Sequence, residues 1–272
     1  MQKKILITII LAILAVGTVF LVIRKTPREV RLGVSKKAQM WLEAGSKKTA
    51  VSERATNGAI VAYDVKSGDL VYPHEGELAL KFAEIVKDRE GHQEIWQMFS
   101  SLVPNGITHI IGFDIVTDGP DDSVAYVYQD QKDPRYWHLA VDYVDALVNG
   151  QLQTEILGYA FLHESGHLLS LNSDQVDFVN AKCPRFVTAQ GCSREDSYIN
   201  KFYREFWLDA KGGFVSEYAA TNTEEDFAES YARFILEPHP TGESRADLKI
   251  KFFYNFPELV VLRDELQEHL LH

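Results

Sequence analysis

Cysteine is scarce in this chain: Cys183 and Cys192 are the only two among 272 residues. Neither of them comes directly after the apolar N-terminal segment, which excludes a bacterial lipid anchor at that place. The two are close enough in sequence for a disulfide bond to close a short loop, an arrangement typical of exported proteins. A pair of free thiols in a reducing compartment is the alternative.

Positive charge is scarce in most of the chain. Residues 1–57 hold 11 Lys and Arg against 3 Asp and Glu, and residues 58–272 hold 17 against 36, so that net charges of +8 and −19 give the total of −11. An acidic surface repels the nucleic-acid backbone, and we therefore exclude a nucleic-acid partner. The basic residues near the N-terminus suit a segment that lies on anionic lipid.

Charge is absent from Ile5 to Ile23, a run of nineteen residues that is long enough to span a bilayer as a helix. We therefore predict a signal-anchor or transmembrane segment at residues 1–26, a basic stalk or linker at 27–57 and a folded domain at 58–272. No small-x-small cleavage site is present at the end of the run, and a signal peptide removed after export is the alternative.

The charges around this segment conflict over its orientation. The basic residues from Arg24 to Lys37 would stay in the cytoplasm by the positive-inside rule. A short N-terminus with Lys3 and Lys4 ahead of the first apolar run instead favours export of the residues after that run. Because a disulfide also favours export, we expect a membrane-anchored protein whose folded domain lies outside the cytoplasm, with a secreted form as the alternative.

The remaining pattern is typical of an α+β fold, and no internal repeat or low-complexity tract interrupts it. Residues 59–72 predict two short strands around a turn, and residues 77–103 predict one or two helices with a break at Gly91. Further strands are predicted at residues 107–117, 123–129 and 137–144, with turn-forming residues between them. One of these strands is expected to form the edge of the sheet.

The next predicted helix, over residues 154–171, contains the sequence H-E-x-x-H, with His163, Glu164 and His167. Residues four apart lie on one face of a helix, so both imidazoles can bind one metal ion. Two neutral imidazoles suit zinc, and Glu164 is near enough to reach a water on the metal. The flanking residues are mostly apolar, which predicts a buried helix; a core helix with two hydrogen-bonded histidines is the alternative.

A catalytic zinc site needs a third protein ligand. The metzincin pattern requires Gly and His at the third and sixth positions after the second His, where this chain has Ser170 and Ser173, and it is therefore excluded. Asp174 and Asp177, in a polar loop after the helix, are two alternatives.

A later helix offers two carboxylates for the same role. Its predicted start is marked by Asn or Thr at the N-cap within residues 221–223, and Glu225 and Glu229 are four residues apart on one face. One of them can bind the metal, and the other can accept a hydrogen bond from a liganding histidine. We expect the neighbouring Glu224 and Asp226 to be solvated residues of the first turn.

Residues 216–229, with the sequence S-E-Y-A-A-T-N-T-E-E-D-F-A-E, resemble the corresponding stretch of the protease domain of anthrax lethal factor, a zincin metallopeptidase. The H-E-x-G-H form of the first motif and the interval between the two motifs also match. The resemblance covers about residues 155–260. It does not extend to the other domains of that toxin, so the kinase-kinase substrate of the toxin does not carry over.

The resemblance implies a zincin fold with one zinc ion per chain and assigns a role to each motif residue. His163, His167 and Glu225 would bind the zinc ion. Glu229 would support a histidine ligand, and Tyr218 would place a hydroxyl near the scissile carbonyl.

Together these features predict an α+β, zincin-like metalloprotease domain over residues 58–272, with a mixed sheet, an active-site helix and a helical C-terminal lobe behind an N-terminal transmembrane helix. The expected activity is hydrolysis of peptide bonds in a peptide or protein substrate, with Glu164 as general base. Two alternatives stay open. One is a zinc-containing surface module that binds a partner without cutting it, and the other is a zinc hydrolase that acts on a non-peptide bond.

Overall fold

The computed structural model describes residues 35–45, 58–103, 109–118, 123–179, 182–209 and 211–271. Residues 34–272 group into one compact unit. The apolar run predicted to span a membrane, and the whole predicted segment at residues 1–26, lie outside the described residues. Within the described ranges, no helix is both long and apolar enough to cross a bilayer.

A five-stranded mixed sheet forms one layer of the fold. Its strands are β1 (Val61–Lys66), β2 (Asp69–Glu75), β3 (Ile110–Val116), β4 (Ala125–Gln129) and β5 (Trp137–Asp142). They lie in the order β2-β1-β3-β5-β4, with β3 and β5 parallel and every other neighbouring pair antiparallel. The predicted α+β class with a mixed sheet is confirmed, and the predicted strands are present. Four of them lie within the predicted ranges, whereas β2 extends to Glu75, three residues beyond the predicted end.

The turn between β1 and β2 has the local chemistry that the sequence predicts. Ser67 and Gly68 both have positive φ, 54° and 87°. A two-residue turn of this kind matches the right-handed twist of the strands it joins, and glycine adopts it without steric cost.

Helices form most of the remaining regular structure in the described ranges. In chain order they are α1 (Lys36–Gly45), α2 (Ala83–Lys87), α3 (Arg89–Leu102), α4 (Tyr143–Ala146), α5 (Thr154–Leu171), α6 (Tyr198–Phe206), α7 (Thr223–Leu236), α8 (Arg245–Phe252) and α9 (Pro257–Leu271). Two short hairpins, β6 (Leu147–Val148) with β7 (Gln151–Leu152) and β8 (Val176–Asp177) with β9 (Cys192–Ser193), flank α5.

The predicted helix break at Gly91 is wrong by three residues. The break lies at Asp88, whose side chain accepts a hydrogen bond from the Gly91 N–H at 3.1 Å. Asp88 therefore caps the N-terminus of α3. Gly91 lies inside the first turn of this helix, where its N–H is hydrogen-bonded to the Asp88 side chain.

The central helix of the fold is α5, which packs against α1, α3, α7 and the edge strand β4. Its residues are apolar on most sides, and two thirds of them are buried. A helix with apolar residues all round must be covered on all sides, which explains why sheet and helices surround it.

The stalk predicted at residues 27–57 needs a correction. Residues 36–45 form α1, and Trp41 on this helix is only 1% exposed because it packs against Gly158 of α5. The folded unit thus begins before residue 58, since burying an indole of this size stabilises the docked helix. The other residues of the predicted stalk, apart from Ser35, lie outside the described ranges.

The C-terminal helices enclose an aromatic cluster behind α7. Phe202, Phe227, Phe252 and Phe253 are all buried and make edge-to-face contacts with one another. Edge-to-face packing places the positive ring edge against the negative ring face and adds to the burial of apolar area. This cluster holds α7 against α6 and α8, so it fixes the helix that carries the second motif.

Candidate metal centre

Two histidines of α5 point toward α7 from successive turns. His163 and His167 are four residues apart, and their Nε2 atoms lie 3.1 Å from each other. His163 is 6% exposed. The helical spacing read from the sequence therefore brings both nitrogens to one point, as predicted.

The first turn of α7 places a carboxylate at the same point. Asn222 caps this helix, and its side chain accepts a hydrogen bond from the Glu225 N–H at 2.8 Å. The Glu225 Oε2 atom lies 3.0 Å from His163 Nε2 and 3.1 Å from His167 Nε2. One donor atom from each of the three residues thus lies within 4.8 Å of the other two.

This donor set fits a zinc ion. The ligand atoms of a tetrahedral zinc site with two nitrogens and one oxygen are roughly 3.3 Å apart, given metal–ligand bonds near 2.0 Å. The three measured separations, 3.0, 3.1 and 3.1 Å, are close to that value. Within the part of the chain that the structure describes, this is the group of His, Cys, Asp and Glu side chains close enough to hold a metal, and it includes neither Asp174 nor Asp177.

The three residues shift one another's pKa. Burial would lower the pKa of His163, but hydrogen bonds with Glu225 and Glu229 outweigh it and raise that pKa well above its usual value. Burial would raise the pKa of Glu225, but the charge of His167 and the hydrogen bond with His163 hold it well below its usual range. The buried site therefore keeps Glu225 ionised and favours positive charge beside it.

Glu229 lies on the far side of His163. Its Oε1 atom is 2.8 Å from His163 Nδ1, and its Oε2 accepts a hydrogen bond from the Tyr159 hydroxyl at 2.9 Å. Glu229 is 4% exposed. A carboxylate in this place fixes the ring orientation of the histidine and keeps its Nε2 available as a donor to a metal.

Helices α5 and α7 approach closely at the glycine of the first motif. A Cβ on Gly166 would lie 2.8 Å from the backbone Cα of Ala228. Any larger residue in place of Gly166 would push the two helices apart, because the atom it meets belongs to the backbone. This contact lets Glu225 and Glu229, three residues before and one after Ala228, reach the histidines.

Glu164 lies next to the three donor atoms but makes a different contact. Its Oε2 atom accepts a hydrogen bond from the backbone N–H of Val127 on β4 at 2.9 Å. The side chain is 6% exposed, and burial raises its pKa above the usual value. The edge strand therefore holds this carboxylate in place beside the candidate metal centre.

Tyr218 lies on the opposite wall. It begins a short 3₁₀ helix just before α7, and its ring stacks on that of His163 with centroids 5.5 Å apart. Its hydroxyl is hydrogen-bonded to Glu225, and burial together with this carboxylate raises the pKa of Tyr218 far above its usual value. The hydroxyl therefore stays protonated and can donate a hydrogen bond.

A cleft of about 270 Å³ opens onto these groups. Its walls include Glu164, His167, Tyr218 and Glu225, together with the edge strand β4. A loop closed by the disulfide bond between Cys183 and Cys192 forms part of one wall. All the motif residues singled out in the sequence thus lie at or beside one cleft.

Known proteins offer no match to this chain. It matches no protein-family model, no curated protein and no solved structure. The resemblance to the lethal factor protease domain stays a prediction, and the geometry of the site is what supports a function.

Sequence reasoning missed several residues of this site. Tyr159 precedes His163 by four residues, and this helical spacing could have predicted that the two side chains share a face. Gly166 was a visible small residue inside the motif, but its contact with Ala228 depends on the packing of two distant helices. Val127 contributes a backbone N–H, which no side-chain pattern could indicate.

The expectation of a solvated Asp226 is wrong. Asp226 is fully buried, and its Oδ2 atom lies 2.7 Å from Lys249 Nζ and accepts a hydrogen bond from Trp207 Nε1 at 2.7 Å. It points away from the cleft because it lies one residue, and so about 100°, round the helix from Glu225. Glu224 is half-buried and lines the cleft, so the same expectation is wrong for it too.

Proposed function

We propose that this chain is a zinc-dependent endopeptidase whose metal is held by His163, His167 and Glu225. The observation that carries the proposal is the convergence of these three donor atoms, at separations that suit zinc, with Glu164 beside them. A bound zinc ion would act as a Lewis acid toward a carbonyl oxygen and would lower the pKa of a water molecule at the open position.

Glu164 is the group that would move the proton. Its buried carboxylate can accept a proton from the attacking water and then donate it to the nitrogen of the leaving amine. The Val127 N–H holds one carboxylate oxygen at 2.9 Å, which leaves the other free for this task. Tyr218 would donate a hydrogen bond to the oxygen that becomes negatively charged during the attack.

The edge strand β4 supports a peptide as the substrate. It is the last strand of the sheet and is antiparallel to its neighbour β5. Its outer edge borders the cleft through Ala125, Tyr126 and Val127. The Val127 N–H of this edge is bound to Glu164, and an extended peptide can add beside it by main-chain hydrogen bonds to the other outward groups of β4, which would bring its carbonyl groups past Glu164.

The proposal extends to location and partners. The apolar run at residues 5–23 would anchor the chain in a membrane, and the disulfide between Cys183 and Cys192 favours a catalytic domain outside the cytoplasm. The substrate would be an exposed or unfolded segment of a protein, since the cleft admits an extended chain. The net charge of −19 over residues 58–272 is unfavourable for a nucleic acid.

The decisive experiment compares the purified full chain with its Glu164→Gln variant. We expect one zinc ion per chain in both proteins by elemental analysis, because Glu164 binds no metal. We expect cleavage of an unfolded protein such as casein to be lost in the variant, because an amide cannot accept the proton. Glu155→Gln, at the start of the same helix, is the matched control and should cleave normally.

Each other result selects an alternative. Zinc without cleavage of any peptide in the wild type would favour the surface interaction module, or a hydrolase that acts on another bond. Full activity of Glu164→Gln would refute the proposed mechanism. A well-folded wild type without zinc would remove the metal site itself.

A further inference from the structure

Part of the lining of the cleft has no role in the proposed chemistry. Its apolar residues include Ala125, Trp137 and Leu171. Its polar residues include Gln190 and Glu224. The cleft therefore has room and surface for one long side chain with an apolar stem and a polar end.

The charged groups of this lining, apart from His167, are carboxylates. Asp118 and Glu224 contribute two of them, and Gln190 has a buried Oε1 atom that makes no hydrogen bond within the described structure. Among the described residues that line the cleft, none is Lys or Arg. The side-chain donors of Ser123 and Asn222 are uncharged, so the lining offers little to balance a negatively charged group and suits a donor-rich cation.

The charges that line the cleft also favour a positively charged ligand. Its lining includes the carboxylates of Glu164, Glu225, Glu224 and Asp118. A divalent cation at the metal centre would balance the first two, and the charge of Glu224 would remain. In a partly buried cleft this remaining charge attracts a cation more strongly than it would at a surface.

We propose that Glu224 selects substrates with an arginine or lysine next to the cleaved bond. This inference rests on the proposed peptidase function and adds its substrate class. The aliphatic stem of the basic residue lies along Trp137 and Leu171, and its charged end reaches Glu224. An arginine gains most, because its planar guanidinium can donate two parallel hydrogen bonds to one carboxylate.

The disulfide-closed loop lies close to the selecting carboxylate. The backbone N–H of Ala189 is near the side chain of Glu224. Ala189 and Gln190 lie between Cys183 and Cys192, whose bond ties the two ends of the loop together. A loop restrained in this way loses little conformational entropy when a side chain binds against it, which favours selectivity.

The experiment uses the zinc-loaded full chain in detergent at about pH 8, where carboxylates are ionised. Cleavage sites are first mapped by mass spectrometry on a mixture of unstructured peptides. A good substrate is then made in two forms that carry either arginine or citrulline at the preferred position. Citrulline has almost the same shape but no charge, so the ratio of the two kcat/KM values measures charge recognition alone.

We expect the arginine form to be cleaved at least about tenfold faster, the scale of one charge-assisted hydrogen bond. In Glu224→Gln this preference should fall to near unity, with zinc content and cleavage of the citrulline peptide retained. In Glu224→Arg the preference should move to a peptide with glutamate at that position. Glu195→Gln, a carboxylate with 65% side-chain exposure outside the cleft, should behave as the wild type.

The outcomes separate the two proposals. If the wild type cleaves peptides but treats arginine and citrulline alike, or if Glu224→Gln keeps the preference, the specificity inference is wrong and the peptidase proposal stands. If the zinc-loaded wild type cleaves no peptide, the peptidase proposal is wrong, and the specificity inference that depends on it is wrong as well.

Discussion

At the scale of single residues, the histidine that anchors the candidate metal centre depends on a chain of two further side chains. Tyr159 donates to Glu229 at 2.9 Å, and Glu229 contacts His163 Nδ1 at 2.8 Å. Both Tyr159 and Glu229 are buried. The orientation of the His163 ring therefore depends on a hydroxyl that acts on it only through Glu229.

Replacing Tyr159 by Phe should weaken zinc binding by about 10- to 100-fold, the usual effect of losing a group that orients a ligand. The reason is that Glu229 loses one of its fixed partners and can turn away from His163. The affinity can be measured by competition with a chelator of known zinc affinity.

The matched control is Tyr254→Phe. The Tyr254 hydroxyl is buried and makes no hydrogen bond within the described residues, so this change should leave zinc affinity unaltered. Equal zinc affinity for Tyr159→Phe and the wild type would show that Glu229 needs no support from this hydroxyl.

At the scale of secondary-structure elements, α1 supports the helix that carries the first motif. A Cβ on Gly158 would lie 2.2 Å from the Trp41 ring, and a Cβ on Gly45 would lie 2.4 Å from the Tyr159 ring. Both glycines thus permit a close approach of α1 to α5. The helix found within the predicted stalk is in contact with the residue that orients Glu229.

The change Trp41→Ala should lower the free energy of unfolding by about 3–5 kcal/mol, because it removes a fully buried indole and leaves a cavity. It should also weaken zinc binding, since α1 would dock less tightly on α5 and its Gly45 is in contact with the Tyr159 ring. Urea unfolding monitored by circular dichroism, with chelator competition, measures both effects.

Its neighbour Met40 is 36% exposed, and Met40→Ala should change stability by less than about 1 kcal/mol. Equal free energies of unfolding for Trp41→Ala and Met40→Ala would show that the docking of α1 does not stabilise the folded unit.

At the scale of the whole molecule, a buried ion pair joins the second-motif helix to the C-terminal helices. Lys249 of α8 and Asp226 of α7 are both fully buried, and Lys249 also donates to the Gly212 carbonyl at 3.1 Å. Burial raises the pKa of Asp226 despite the opposing hydrogen bond and charge of Lys249. The pair is satisfied only while both members are present.

The change Lys249→Met should lower the free energy of unfolding by about 3–5 kcal/mol near neutral pH, because it leaves a carboxylate buried without its cation. Lys251→Met, on the same helix but with a partner that is 77% exposed, should cost less than about 1 kcal/mol. Urea denaturation monitored by tryptophan fluorescence measures both variants.

The loss of unfolding free energy caused by Lys249→Met should depend on pH. Without Lys249, the pKa of Asp226 in the folded state rises further above its unfolded value of 3.8. The loss of unfolding free energy caused by the unpaired carboxylate is therefore absent below the unfolded pKa and grows as pH rises toward the folded pKa. The stability of the variant should be closer to that of the wild type at about pH 5 than at about pH 8. A loss that is equal at both pH values would contradict the burial of an ionised Asp226.

The elements of this fold could be predicted largely from local sequence. The turn at Ser67 and Gly68, the strands of the sheet and the extent of α5 are set by turn residues and hydrophobic periodicity, and the start of α7 is set by its capping residue. These signals act over a few residues. The same local rule placed His163 and His167 on one face. The error at Gly91 also has a local cause, because Asp88 offered a cap that the pattern alone did not reveal.

Periodicity could not predict which surfaces meet. The sequence by itself determined that His163 and His167 share a face, that Glu225 and Glu229 share another, and that Asn or Thr caps the second helix. Only the tertiary structure decided that Glu225 lies against both Nε2 atoms while Glu229 lies against Nδ1, that Asp226 is buried on Lys249, and that α1 packs on α5. The physical reason is that these contacts depend on the distance and angle between helices, which the close approach of Gly166 to Ala228 and the packing of distant side chains determine.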